Sequence, residues 1–274
     1  MPELPEVETV RKTLIQLVEN KKIQDVIIYW PKIIKKPLEI EQFQDALKGQ
    51  TIIDVGRRGK FLKFYLDDYV LVSHLRMEGR YGLHNNNEEF DKHTHVIFQF
   101  DDGTELRYRD VRKFGTMHLF KKGEEEDELP LSQLGPEPFS NLFTVNYLKE
   151  KLSRTNRKIK IALLDQTLVV GLGNIYVDEA LFRAGIHPER IAKDLTEEEY
   201  TALHGEIIRT LEEAIESGGS TIRSYVNSQG EIGLFQLKIF VYGRTNEPCK
   251  KCGTTLTKTV VGGRGTHYCS TCQK

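Results

Sequence analysis

The sequence predicts an α+β chain of several domains, and three observations carry that expectation. A single amphipathic stretch opens the chain; short β-branched and aromatic runs fill residues 23–120; helical spacing returns over residues 141–230, ahead of a strand-like tail that holds every cysteine. With 274 residues the chain is long enough for one or two cores.

The opening helix is read from Val7, Val10, Leu14, Leu17 and Val18, which repeat near 3.6, with Glu8, Arg11 and Lys12 on the other side. Pro5 is tolerated in a first turn, and Glu6 and Glu8 suit the positive end of the helix dipole. Pro2 and Glu3 stand ahead of this helix, at the very tip of the chain.

The strands are read from IQDVIIYW, QTIIDVG, KFLKFYL, YVLVSHL, THVIFQF, ELRYRD and TMHLF, separated by turn signals such as DD at 67–68 and DDG at 101–103. That spacing suggests a β sandwich or a flattened barrel. An acidic loop, GEEEDE, follows at 123–128, then LGPEPFS at 134–140, whose prolines and Gly135 make it the candidate linker.

Beyond the linker, VNYLKEKL, IKIALLDQ, IYVDEALFRAG and LTEEEYTALHGEIIRTLEEAIESGG show helical spacing. Thr196 with Glu199 forms a capping box, and Gly218 and Gly219 stop the last helix. Gly171 and Gly173 make a tight turn, and Asn174 is placed to cap the helix after it, whose N-terminal amides suit a phosphate. GLGNIY is not a dinucleotide fingerprint, because the third glycine and a preceding strand are missing.

Composition excludes little. Thirty-nine Lys and Arg balance 40 Asp and Glu, so overall charge gives no argument for nucleic acid. The N-terminus lacks a basic start and an apolar run, and no stretch approaches the roughly 18 apolar residues of a membrane span, so the expectation is a soluble cytoplasmic protein with no membrane partner. Charge is uneven locally. KLSRTNRKIK at 151–160 carries five positive residues and no acid, and residues 241–274 carry six against Glu247 alone. Both segments fit a phosphate backbone and equally a solvated charged face.

Cys249-x-x-Cys252 and Cys269-x-x-Cys272 are separated by 16 residues, a spacing that fits a four-thiolate zinc site rather than disulfides. Four thiolates leave no open position for water, so the expected Zn2+ is structural. Between the knuckles, TLTKTVVGGRGTHY reads as two strands around a glycine turn that carries Arg264.

MPELPEVET at the start, RRGKFL at 57–62, HLRMEGR at 74–80, RDVRKFG at 109–115, LGPEP at 134–138, GNIYVDEALF at 173–182 and the terminal knuckles together resemble the bacterial formamidopyrimidine-DNA glycosylase family, in the right order through nearly the whole chain. The resemblance implies an N-terminal helix with a β sandwich (1–130), a hinge (131–140), a helix–two-turn–helix DNA-binding domain (141–235) and a zinc β-ribbon (236–274), with damaged duplex DNA between the halves and a monomeric enzyme. The implied activity is excision of oxidised purines, such as 8-oxoguanine and formamidopyrimidines, followed by strand cleavage through β,δ-elimination.

Such chemistry needs a neutral amine to attack C1′ of the sugar and form an iminium. A chain terminus, with a pKa of about 7.7–8.0 against about 10.4 for lysine, is neutral far more often at pH 7, by an upper limit of roughly two to three orders of magnitude. By resemblance Pro2, exposed by loss of Met1, is the nucleophile. Glu3 moves protons at the attacked sugar, and Glu6 supports it. Lys60 and Arg264 act on the phosphates during elimination. Met77, Arg112 and Phe114 fill the space left by the flipped base. His74, His93, Thr155, Lys160 and Asn174 contact DNA, with Thr155 standing about where some relatives have lysine. Glu78, Ser220 and Ser224 recognise the lesion. His93 lies in an HxH pattern, but without another nearby ligand it is not read as metal-binding. The rival readings are an oxidised-pyrimidine glycosylase using the same Pro2 and Glu3, and a non-catalytic zinc-ribbon DNA-binding protein.

Overall fold

The computed structural model describes residues 1–220 and 233–274, and the chain divides into two compact units, one of residues 1–133 with 220–233, the other of residues 134–219 with 234–274. No helix among the described residues is long and apolar enough to cross a membrane.

The first unit begins with α1 (Leu4–Val18), which buries Val7, Val10, Leu14 and Val18 and leaves Leu17 partly covered. There follow β1 (Ile23–Ile28), β2 (Ile34–Lys36), α2 (Ile40–Leu47), β3 (Asp54–Arg58), β4 (Phe61–Tyr65), β5 (Tyr69–His74), β6 (Arg80–Asn85), β7 (Thr94–Phe100), β8 (Thr104–Arg109) and β9 (Thr116–Lys121). One sheet runs β1-β7-β8-β6 and is antiparallel throughout. The other runs β2-β9-β5-β4-β3, with β2 parallel to β9 at its edge. Val26, Val96, Phe98 and Leu106 of the first sheet and Val55, Leu62, Phe64, Leu71 and Leu119 of the second belong to one buried cluster, which α1 completes with its apolar stripe.

One element, a helix, departs from the expectation of an unbroken strand region. Residues 40–47 form α2, because Ile40, Phe43 and Leu47 repeat at helical spacing, and Phe43 and Leu47 are wholly buried. Gln44 Nε2 donates to the Val26 carbonyl at 2.7 Å and ties this helix to β1. RYGLHN, with its glycine and polar residues, forms β6, held by six register pairs to β8; pairing outweighs its weak intrinsic preference.

The second unit contains α3 (Val145–Leu152), α4 (Ile159–Leu164), α5 (Asn174–Ala184), α6 (Glu197–Glu216), β10 (Thr257–Val261) and β11 (Arg264–Tyr268). Thr144 caps α3 through its side chain. The expected box caps α6: Thr196 N–H donates to Glu199 Oε2 at 2.8 Å and Glu199 N–H to Thr196 Oγ1 at 3.3 Å. Gly218 and Gly219, both with φ above +70°, end that helix. A core of Leu148, Leu163, Tyr176, Leu181, Leu203, Leu211 and Phe235 joins the helices.

Candidate functional site

The tip of the chain is fixed by α1. Pro2 and Glu3 are buried, and Glu3 is the N-cap residue. Its N–H donates to Glu6 Oε2 at 2.8 Å, while Glu6 Oε1 accepts from Ser220 N–H at 2.7 Å. Glu6 therefore spends both oxygens on neighbouring groups and holds the backbone next to Pro2. A second tie runs from α1 to the β3–β4 turn: Arg57 Nε donates to Glu8 Oε2 at 3.0 Å and its Nη1 to the Gly59 carbonyl at 2.9 Å. Burial acts to raise the Glu8 pKa, but hydrogen bonds and charge from Arg11 and Arg57 prevail and hold it below the usual carboxylate value. Gly59 takes φ +56° in this turn, which a side chain would resist, and Lys60 follows it, 6% exposed.

His74 sits opposite Phe61 in the β4–β5 register, and their rings meet edge-on at 4.5 Å. Burial, with the charges of Arg76 and Lys60, lowers its pKa to about 3. The ring is neutral at physiological pH. Arg76 N–H donates to Nδ1 at 2.9 Å, which leaves the proton on Nε2 as the available donor.

Two loops present apolar groups to solvent. Met77 is 38% exposed on the first and Phe114 is 51% exposed on the second. Arg112 is exposed too, its guanidinium 4.7 Å from the Phe114 ring centre. Glu78 is exposed beside Met77, and His93, half-buried, accepts from Asp110 N–H through its carbonyl at 2.9 Å.

In the second unit the candidate residues converge on the β10–β11 hairpin. Gly262 (φ +55°) and Gly263 (φ +74°) make its two-residue turn, and exposed Arg264 follows at once. Asn174 does not cap α5; Gly173 occupies that position, and Asn174 Nδ2 instead donates to the Gly265 carbonyl at 2.8 Å. The expected DNA contact of Lys160 is likewise corrected. Its side chain has no solvent exposure, and its ammonium lies 2.6 Å from Asp178 Oδ1 and 3.0 Å from the Gly265 carbonyl. An ammonium so enclosed reaches no phosphate. Thr155, half-buried, accepts from Arg157 N–H and Nε–H through Oγ1, both at 3.2 Å.

The four cysteine sulfurs lie within 4.8 Å of one another, with Cys249 to Cys272 at 4.0 Å and Cys252 to Cys269 at 3.5 Å. Tetrahedral zinc with bonds of about 2.3 Å sets its sulfurs about 3.8 Å apart, whereas a disulfide needs about 2.05 Å. Burial and the neighbouring thiols push Cys272 up to about 12, while hydrogen bonds from Thr254 draw Cys252 down to about 6. A divalent cation lets all four ionise together.

Comparison with known proteins agrees with this layout. Residues 1–117 match the formamidopyrimidine-DNA glycosylase N-terminal domain, residues 134–226 its H2TH domain, and residues 246–274 the zinc finger found in FPG and IleRS. The formamidopyrimidine-DNA glycosylase of Bacillus licheniformis is 70% identical over 274 residues, covering all of both chains. The chain belongs to the formamidopyrimidine-DNA glycosylase family. The Bacillus subtilis glycosylase is 67% identical, covering 100% of this chain and 99% of its own. Among solved structures, a Lactococcus lactis FPG mutant in complex with Fapy-dG-containing DNA superposes with a TM-score of 0.94 at 43% identity, covering both chains fully. The Lactococcus lactis Fpg bound to abasic-site DNA gives 0.93 at 44% identity, covering 99% of each. The C-terminal hairpin of this glycosylase is thus a zinc ribbon, and its four cysteines form a structural zinc site.

Sequence reading missed two acids of α5 that mount the ribbon. Asp178 Oδ2 accepts from His267 N–H at 2.9 Å. Glu179, fully buried, accepts from the amides of Phe240, Val241 and Tyr242 at 2.8 to 2.9 Å. Burial raises its pKa against the pull of those amides. The available signal was an acidic pair flanked by apolar residues, Ile175 to Val177 before it and Ala180 to Phe182 after it, since unpaired carboxylates are not buried. Ser220 is placed as above; Ser224 lies outside the described residues.

Proposed function

We propose that this chain is a base-excision repair enzyme that removes oxidised purines from duplex DNA and cleaves the abasic strand, acting as a monomer in the cytoplasm. One observation carries the reading: the Pro-Glu tip, buried and held by Glu6, heads a chain that matches from end to end relatives solved on Fapy-dG and abasic DNA. With Met1 removed, the neutral Pro2 secondary amine bonds to C1′, the glycosidic electron pair leaves with the base, and the amine gives up its proton to Glu3. Glu3 passes a proton to the ring oxygen as the sugar opens, leaving an iminium on Pro2. The iminium acidifies the C2′ proton. Its loss sends the pair into C1′–C2′ and on to C3′, expelling the 3′ phosphate; a second elimination expels the 5′ phosphate. Lys60 and Arg264 would offset phosphate charge through these steps. Met77, Arg112 and Phe114 would occupy the gap left by a flipped base, whose extrusion costs about a few kcal/mol. His74, through Nε2–H, would donate to the backbone without carrying charge, joined by His93, Thr155 and Asn174. Glu78, Ser220 and Ser224 would read the base.

The test is borohydride trapping on a duplex with 8-oxoguanine opposite cytosine, followed by intact and peptide mass spectrometry. The expected result is one covalent adduct on Pro2 with Met1 absent. An adduct only with an oxidised-pyrimidine duplex would overturn the substrate class. No adduct with either, despite binding, would overturn the enzymatic reading.

A further inference from the structure

The two exposed loops that carry Met77 and Phe114 are separate in sequence, yet they close on one side chain. Tyr108, on β8, is fully buried, paired with Tyr81 in the β6–β8 register and set edge-on to its ring at 5.0 Å. Tyr81 is itself fixed by Phe64 at 5.3 Å and by its hydroxyl, which donates to Ser73 Oγ at 2.7 Å. The Tyr108 ring is therefore a post anchored in the sandwich core, and its hydroxyl is the free end of that post. Gly79, which closes the Met77 loop, and Gly115, which closes the Phe114 loop, both press on it. A Cβ at Gly79 would stand 2.1 Å from Tyr108 Oη, and one at Gly115 only 1.8 Å away. Neither glycine has a positive φ, so space rather than backbone conformation demands them.

The loop after Tyr108 is fixed a second time. Asp110, wholly buried, accepts from Arg112 N–H at 3.0 Å through Oδ1, and from Phe114 N–H and Gly115 N–H at 2.9 Å each through Oδ2. Its own carbonyl meets His95 Nε2 at 2.8 Å. One carboxylate thus sets the turn that displays Arg112 and Phe114, including Lys113 at φ +59°. Among the described residues the Tyr108 hydroxyl has no hydrogen-bond partner, a state that phenylalanine would avoid. What the oxygen does provide is contact with both loops.

We propose that Tyr108 and Asp110 are positioning residues that join the Met77 and Phe114 loops into one rigid wedge. The proposal rests on the reading of Met77, Arg112 and Phe114 as the groups that enter the DNA stack. A wedge that must displace a base fails if it yields, and here the load passes through Gly79 and Gly115 to one hydroxyl and on to the core. Tyr108 and Asp110 touch no DNA themselves.

The experiment compares Tyr108→Phe, Asp110→Asn and Phe114→Ala with the parent enzyme. Insertion is followed by the fluorescence of 2-aminopurine placed 3′ to 8-oxoguanine in a duplex, and chemistry alone by borohydride trapping on a single strand with an abasic site. Asp110→Asn should slow insertion and duplex excision about tenfold and Tyr108→Phe about threefold, with single-strand trapping unchanged within about twofold. Tyr108→Phe should keep or raise the melting temperature, which separates positioning from a loss of fold. Equal losses on both substrates, or unchanged insertion in Tyr108→Phe and Asp110→Asn while Phe114→Ala loses it, would overturn the joint alone. Unchanged insertion in Phe114→Ala would overturn the underlying reading and the proposal with it.

Discussion

Lys160 Nζ lies 2.6 Å from Asp178 Oδ1, and neither side chain has any exposure to solvent. The pair joins α4 to α5, and each partner also holds the ribbon, Lys160 through the Gly265 carbonyl and Asp178 through the His267 amide. Removing one partner strands a charge in the interior, which costs about 3–5 kcal/mol, whereas replacing both with apolar groups of similar volume is often close to neutral. Lys160→Met should therefore lower thermal stability sharply, and Lys160→Met with Asp178→Leu should recover much of it. A double-mutant cycle by chemical denaturation measures the difference; equal losses in single and double variants would contradict it.

The same burial separates Lys160 from Arg264 in DNA binding. A cation that sits on a phosphate releases counterions, so its loss lowers the slope of log affinity against log salt by about 1. Arg264, exposed at the hairpin turn, should show that change as Arg264→Ala. Lys160→Met should weaken binding by loosening the hairpin, with the slope unchanged. Titration of a labelled duplex across a salt series reads both.

The order of elements was legible in the sequence wherever periodicity was strong, as in α1 and α6 with its Thr196–Glu199 box. The cysteine spacing announced the zinc site because metal geometry tolerates little else. α2 was hidden because it is only eight residues long and lies between strand segments, although its apolar spacing is helical. Lys160 was misread for a related reason. Five positive residues in a row of ten suggest one basic face, but the turn ahead of α4 sends Lys160 inward while Arg157 stays exposed, pairing with Asp165 at 2.7 Å. Glu179, and Asp178 beyond its pair with Lys160, accept from amides more than 60 residues away, and no local pattern encodes those partners.

His74 gives a pH-dependent prediction. The unfolded chain protonates it near pH 6.5 and the folded chain only near pH 3. The unfolded state thus binds more protons between those values, so the stability His74 contributes is full above pH 6.5 and is lost as the pH falls towards 3. At more than three pH units the effect is of the order of a few kcal/mol. His118, lowered to about 4 by burial and by Lys35, Lys36 and Arg76, adds to the same slope. Denaturation at pH 7.5 and 5.5 should show a smaller acid loss for His74→Gln than for the parent, and an identical loss would refute the assignment.

Zinc removal should act on the second unit first. The apolar cluster around the knuckles is small, with Val241 and Leu256 of the ribbon buried against Phe182 of α5 beside Cys249 and Cys269, so metal ligation supplies much of what holds the knuckles. The last residues depend on them: Cys269 N–H donates to Gln273 Oε1 at 2.9 Å, and Gln273 Nε2 donates to the Ile186 carbonyl at 2.9 Å. Opening the cluster therefore frees the chain end from the segment that follows α5, as well as the Arg264 turn. The sandwich, with its separate core, keeps its fold. Thiol modification with a chromophoric chelator should release one zinc per chain. Hydrogen exchange should then rise over residues 241–274 and stay low over β4 and β5, with duplex binding lost in step. Uniform exchange across both units would show instead that the zinc supports the whole molecule.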